Sequence, residues 1–206
     1  MTDNPGIATV RRAARWAGLT LEARQLDLLE ELADWLVAEA IPAGGLGPAE
    51  GSIVFSRHLA DSLLFAAPWR SEQGFPSTIL DIGAGVGLPG LPLAISWPSS
   101  RVTLLERSLR RTDLARRAVR ILGLDNVEVA ATQLGDWKTP ADLLVCRAVS
   151  TPDRLRGDLQ RLLSPAGVAV VGGSHSSAPT YQGFSTRQVP SNILGKPVWL
   201  LIMDKL

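Results

Sequence analysis

The stretch Thr78 to Ala94, reading TILDIGAGVGLPGLPLA, limits the possible folds of this chain more than any other. Thr78 to Ile82 is a run of β-branched and aliphatic residues carrying one acid, Asp81. Gly83, Gly85, Gly87 and Gly90 follow, and then an apolar run with helical spacing. A strand, a glycine turn and a helix start in that order make a loop suited to a nucleotide-type ligand. The glycines let backbone approach the ligand and take positive φ where the turn needs it. Asp81 falls at the carboxyl end of the strand, where open α/β sheets bind their ligands.

The flanking segments alternate in the same way. Strands are predicted at 101–106, 127–132, 141–146 and 167–172, with helices at 108–122 and 151–163 between them. Before the glycine stretch come helices at 6–17, at about 20–40 and at 56–67, the last with Ser56 as its cap. Leu21, Leu28, Leu29, Leu32, Leu36 and Val37 supply the apolar face of the second helix. Two late strands, 184–189 and 198–203, have a link too short for a helix, which favours an antiparallel pair at the sheet edge. The expectation is α/β: a seven-stranded, mostly parallel sheet with an antiparallel last strand and N-terminal helices. Residues 1–206 then form one domain, with 1–70 as a helical cap and 76–206 as the ligand-binding core.

Composition narrows the chemistry. One cysteine, Cys146, rules out an intrachain disulfide and a thiolate metal cluster. Two histidines, His58 and His175, argue against structural zinc, so no metal is expected. No apolar run reaches membrane-spanning length and the N-terminus lacks a signal-peptide core, so a cytoplasmic protein is expected. The net charge of +1 gives no global field for nucleic acid. Arg101 to Arg120 nevertheless holds seven arginines against Glu106 and Asp113. That run reads either as a solvated helix face or as a local phosphate-contacting patch.

The glycine loop fits two frames. Gly85-Val-Gly-Leu-Pro-Gly90 matches the dinucleotide fingerprint of NAD-type oxidoreductases, a weak match when it stands alone. The frame starting at Asp81, with glycines at 83, 85 and 87, is the pattern of S-adenosylmethionine (SAM) methyltransferases. A pyrophosphate prefers a bare helix N-terminus and is repelled by a carboxylate so close before the first glycine. The amino group of SAM is a cation that a carboxylate attracts. Glu106 ends the next strand, where a carboxylate can accept both ribose hydroxyls of either cofactor.

DIGAGVGLPGLPLAI, with its Leu-Pro-Gly-Leu-Pro tail, closely resembles the signature of the ribosomal RNA small-subunit methyltransferase G family, also called glucose-inhibited division protein B. Arg57-His-Leu-Ala-Asp-Ser62 resembles that family's R-H-x-x-D-S helix. Leu104-Leu-Glu106 through Arg110-Arg111 resembles its strand, acid and basic pair, and Cys146-Arg147-Ala148 its Ser/Cys-Arg-Ala. The resemblance covers roughly Leu21 to Leu206. It implies a Rossmann-like class I methyltransferase, SAM as cofactor, and methylation of N7 of one guanine in small-subunit (16S) ribosomal RNA. The implied partner is that RNA or the assembling small subunit. Carried over residue by residue, Gly83 and Leu88 lie in the cofactor loop, to which the SAM frame adds Asp81, Gly85 and Gly87 as cofactor-binding candidates. Glu106 is the ribose acid, Leu134 and Gly135 flank the adenine, and Arg147 stands at the mouth. The chain departs from the family pattern in three places. AIPAGGLGPAEGSIVF replaces an Asn-Leu-Thr segment, Gln133 replaces an arginine, and Gly172-Gly173 replaces Lys-Gly. A divergent SAM-binding protein with altered or no methyl transfer is the alternative those departures raise.

No catalytic base is expected, because N7 of guanine already presents a lone pair. His58 reads as a tie between its helix and neighbouring loops, His175 as solvent-facing and Cys146 as a small core residue. Trp137, beside the expected adenine site, is a candidate for the pocket lining.

Overall fold

The computed structural model describes residues 5–69, 74–172 and 177–205. His175 and Gly173, both singled out above, lie outside them. Helices α1 (Pro5–Trp16) and α2 (Ala23–Trp35) come first, and α2 continues as a π-helical turn, Leu36–Ala40. Gly18, at φ +80°, ends α1. The start of α2 is set at Glu22, whose N–H donates to Gln25 Oε1. A 3-10 turn (Gly51–Ile53) and a π-helical segment (Val54–Ala60) lead into α3 (Asp61–Leu63) and a further 3-10 turn, Leu64–Ala66. Ser56 therefore lies inside the helical run rather than capping it, and its hydroxyl donates to the Ile53 carbonyl.

The α/β unit follows: β1 (Thr78–Ile82), α4 (Gly90–Ser96), β2 (Arg101–Glu106), α5 (Leu109–Leu122), β3 (Val127–Ala131), β4 (Ala141–Cys146), α6 (Pro152–Leu162) and β5 (Leu163–Gly172). Then come β6 (Ser185–Val189), α7 (Ser191–Leu194) and β7 (Val198–Asp204). The link between β6 and β7 thus does hold a helix: one turn fits where Gly195, at φ +79°, stops it. β5 begins earlier than 167, and its register against β4 shifts between Ala141 and Leu143.

The sheet order is β3-β2-β1-β4-β5-β7-β6. β7 inserts antiparallel between β5 and β6, whereas the strands from β3 to β5 run parallel. An all-parallel 3-2-1-4-5-6 order marks the dinucleotide-binding sheet, so the inserted β7 sets this sheet apart. Chain order reverses at β1, between β2 and β4. The crevice beyond its carboxyl end is therefore the expected ligand site.

Strand alternation sorts the core into two layers. Ile79, Val102, Leu104, Leu143 and Val145 pack under α1, α2, α4 and α5, together with Leu29, Leu32 and Leu36. Leu80, Ile82, Leu105, Leu144 and Cys146 face α6 through Leu155, Leu159 and Leu162. The N-terminal helices thus share one core with the sheet. Val37, expected on the apolar face of α2, is 44% exposed, because the π-helical turn changes the period there. No helix among the described residues is long and apolar enough to cross a membrane.

Candidate active site

The glycine loop closes at the carboxyl end of β1. The N–H groups of Gly83 and Ala84 both donate to the Leu105 carbonyl, at 2.8 and 3.1 Å, which ties the loop to β2. Gly83, Gly85 and Gly87 have φ of +68°, +60° and +101°, a region in which Cβ is strained. At Gly83 a Cβ would lie 2.3 Å from Val149 Cγ2, whereas at Gly85 it would meet nothing within 4 Å among the described residues. Gly83 is therefore needed for packing as well as backbone, while Gly85 leaves open space.

Above this loop lies a cleft of about 740 Å³. Gly83, Gly85, Leu88, Glu106, Leu134, Gly135 and Arg147 all line it. Glu106 is only 5% exposed, and both of its oxygens accept backbone N–H groups. Oε2 takes the Gly85 N–H at 3.1 Å and Oε1 the Ser108 N–H at 2.8 Å, with Arg111 Nη1 3.5 Å from Oε2. The ion-pair partner is Arg111 because Arg110 turns away and donates to the Ala43 carbonyl. Leu134 and Gly135 sit on a 3-10 turn, Leu134–Asp136, just beyond β3.

Asp81 and Gly87 are not on the cleft wall. Asp81 is fully buried, and its Oδ2 accepts the Gly90 N–H at the start of α4 at 2.7 Å. A Cβ on Gly90 would lie 2.8 Å from that oxygen, which accounts for the fourth glycine of the loop. Burial pushes the Asp81 carboxyl up to about 7. Its other oxygen, Oδ1, is buried without a hydrogen-bond partner among the described residues. Trp137 does not line the cleft either: it packs with Leu134 against the α6 side of the sheet, and its Nε1 donates to the Thr139 carbonyl. Cys146 is buried in β4, and burial, then Asp81, pushes its thiol up to about 12. It is a core residue, as the sequence indicated.

A second cavity, of about 600 Å³, adjoins the first, and Gly45, Leu46, Arg147 and Ala148 line both. Its polar wall comes from the segment leading into α3. Arg147 Nη1 bonds Asp61 Oδ2 at 3.2 Å and the Arg57 carbonyl at 3.3 Å, while Nη2 lies 3.5 Å from His58 Nδ1. His58 Nε2 meets Glu50 Oε2 at 2.9 Å. Burial, then Arg147, lowers the His58 pKa, which favours the neutral ring; the guanidinium can only donate, so the matching tautomer has Nδ1 accepting from Arg147 and Nε2–H donating to Glu50. Glu50 is partly buried, which works against its charge. His58, the Gly47 N–H and Arg57 outweigh that and hold its carboxyl below the usual range. His58 is thus a tie to a neighbouring loop, as expected, but one that also joins Arg147 to Glu50. Ala148, at φ +56°, stands in strained backbone where the two cavities meet.

Arg57, His58, Asp61 and Arg147 of this wall stand out in the sequence, whereas Glu50 and its loop do not. In the 42–52 loop, a Cβ on Gly45 would lie 2.4 Å from Val86 Cγ1. That loop is seated on the glycine loop. The cluster of glycines at 44, 45 and 47 was the available signal of a close backbone approach.

The arrangement fits an adenosyl cofactor: a carboxylate stands at the lip of β2, and among the described residues there is open space over Gly85. Groups of three or more His, Cys, Asp or Glu able to hold a metal are absent among the described residues.

Comparison with known proteins agrees with this geometry. A mutant of MtNAS solved in complex with S-adenosylmethionine superposes with a TM-score of 0.57 at 19% identity, covering 87% of this chain and 73% of that one. TrmN from Thermus thermophilus gives 0.54 at 20%, covering 74% and 53%. The fold is that of the class I methyltransferases. Within that class, the family profile described as rRNA small subunit methyltransferase G (GidB) matches residues 25–182. The curated relative of that name from Nocardioides sp. is 36% identical over 147 residues, 69% of this chain and 56% of its own length. Its namesake from Mycobacterium leprae (strain TN) is 38% identical over 157 residues, 73% of this chain and 62% of its own. The chain belongs to the rRNA small subunit methyltransferase G family. It spans 56% to 62% of the length of these two relatives.

Proposed function

We propose that this protein is a SAM-dependent methyltransferase acting on N7 of one guanine in small-subunit (16S) ribosomal RNA, as naked RNA or in an assembling subunit. Residues 76–206 are read as the SAM-binding core and 1–70 as a helical cap folded into the same domain, working in the cytoplasm. The observation that carries the proposal is Glu106. Its buried carboxylate, at the end of β2, holds the glycine loop through the Gly85 N–H and borders the cleft.

SAM, when bound, supplies a methyl group on a positively charged sulfur. The chain has to position and shield the reactants. Glu106 accepts the ribose hydroxyls with the lone pairs its two backbone donors leave free. Leu134 and Gly135 flank the adenine, and Gly85 gives room for close approach. Arg147 has five N–H donors, so the contacts to Asp61, Arg57 and His58 leave capacity for the cofactor carboxylate or an RNA phosphate. Asp81 sits behind the loop and fixes the start of α4 rather than lining the cleft. No residue must remove a proton: the N7 lone pair forms the new bond, the sulfur leaves neutral, and the guanine becomes cationic.

The test is to map N7-methylguanine in small-subunit RNA from cells with and without this protein. One such site should disappear in its absence. An unchanged map from a protein that binds SAM would favour the non-catalytic alternative. Calorimetric binding of NAD but not SAM would overturn the cofactor assignment.

A further inference from the structure

The second cavity lies outside the cofactor cleft, and its wall has a chemistry of its own. We propose that it receives the acceptor base, and that Glu50 determines specificity by accepting hydrogen bonds from the Watson–Crick edge of guanine. This rests on the guanine-N7 reading above.

Glu50 lines the second cavity and not the cleft, whereas Arg147 and Ala148 line both. In guanine, N7 and the N1–H and N2–H₂ groups lie on opposite edges of the purine. A base with N7 turned to the shared edge at Ala148 turns its N–H groups into the second cavity. A carboxylate is acceptor-only and suits those two donors. Adenine presents an unprotonated N1 there, which a carboxylate repels. Reading a base displaced from its stack by its Watson–Crick edge is the general solution for enzymes acting on bases.

The local geometry keeps Glu50 ready for this. Oε2 is occupied by His58 Nε2 at 2.9 Å and the Gly47 N–H at 3.3 Å, which fix the carboxylate plane. Among the described residues, Oε1 has only Arg57 Nε, at 3.5 Å. A carboxylate offers about four lone-pair sites, so Oε1 retains acceptor capacity. The other carboxylate of this wall, Asp61, is committed to Arg147. Leu46, Ile53 and Phe65 supply apolar surface for the base faces. Methylation makes the guanine cationic and its N1–H more acidic. An anionic acceptor therefore binds the product-like transition state better than the substrate.

The experiment is an NMR titration of the protein, saturated with S-adenosylhomocysteine, with guanosine and inosine 5′-monophosphates. Inosine lacks only the 2-amino group. Wild type should bind the guanosine nucleotide roughly tenfold more tightly, in line with one good base contact. Glu50→Gln and Glu50→Ala should bring that ratio towards one with SAM affinity unchanged. A wild type without the preference, or a preference that survives in both variants, overturns the proposal. So does a Glu50→Gln variant that loses SAM affinity. A Glu50-dependent preference in a protein that leaves ribosomal RNA unmethylated would instead overturn the assigned reaction and leave the pocket standing.

Discussion

The two cavities are built from different materials. The cofactor cleft is mostly backbone: three glycines at positive φ, two N–H groups on the Leu105 carbonyl, and Glu106 clamping Gly85 and Ser108. The adjoining cavity is mostly side chain: Glu50, His58, Asp61 and Arg147 hold one another across contacts of 2.9 to 3.5 Å. Backbone can hold a cofactor common to many enzymes, because every residue carries the same donor and acceptor. Side chains can be exchanged without rebuilding the sheet, so recognition of the changing partner is better placed there. Damage to the first cavity should therefore act on SAM affinity, and damage to the second on the acceptor.

The largest effect is expected at Gly83→Val. Positive φ costs an L-residue about 1–2 kcal/mol, and crowding Val149 adds about 1–3 kcal/mol. SAM affinity measured by calorimetry should fall by roughly 100-fold or more. A Gly83→Val protein with wild-type affinity would show that the loop does not hold the cofactor. Next is Glu106→Ala. It strips acceptors from two backbone N–H groups, each worth about 1–3 kcal/mol when left unpaired, and SAM affinity should drop roughly 10- to 100-fold. Glu106→Gln, which keeps one acceptor oxygen, should lose less. Equal losses would mean that charge rather than acceptor geometry is what Glu106 contributes.

Asp81 gives a pH test of the foundation under the cleft. Its folded pKa of about 7 lies above the ordinary 3.8 because of burial. Below 3.8 the carboxyl is protonated in both folded and unfolded chains and has no effect. As pH rises, the unfolded chain gives up its proton first, so folding becomes less favourable until pH 7 or so, and then levels off. The full change is at most about 4 kcal/mol. Asp81→Asn keeps an oxygen for the Gly90 N–H and removes the titration. In urea melts at about pH 5 and about pH 7.5, the variant should gain on wild type at the higher pH. A gap that stays constant would place the Asp81 titration elsewhere.

The sequence reached the first cavity and only part of the second, for a physical reason. Thr78 to Gly90 is local: each glycine answers a turn demand made by its immediate neighbours, and Glu106 follows from a strand ending. The order of alternating elements carried the sheet, and the late hairpin carried the antiparallel β7. Glu50, His58 and Arg147 meet across separations of 8 and 89 residues, and no spacing rule connects them. The fate of Asp81 was hidden for a related reason. Its place at the strand end is legible, but its buried bond to Gly90 depends on how α4 folds back. Trp137 was misplaced because a residue next to a cleft in sequence can turn its ring to either face of the sheet.

The smallest effect, and the sharpest for the comparison, belongs to the Arg147–Asp61 pair. Both side chains are only about a fifth exposed, at 20% and 18%, and they meet at 3.2 Å. Removing either alone leaves a largely buried charge without that partner, so each single variant should cost more than the interaction itself contributes. A double-mutant cycle with Arg147→Met and Asp61→Asn isolates the coupling, expected at about 1 kcal/mol in stability. SAM affinity should separate the two residues. Asp61→Asn should leave it within about twofold, because Asp61 lines only the second cavity. Arg147→Met should weaken it, because Arg147 borders both. If Asp61→Asn lowers SAM affinity as far as Arg147→Met does, the two cavities act as one site, and the division of labour between backbone and side chains fails.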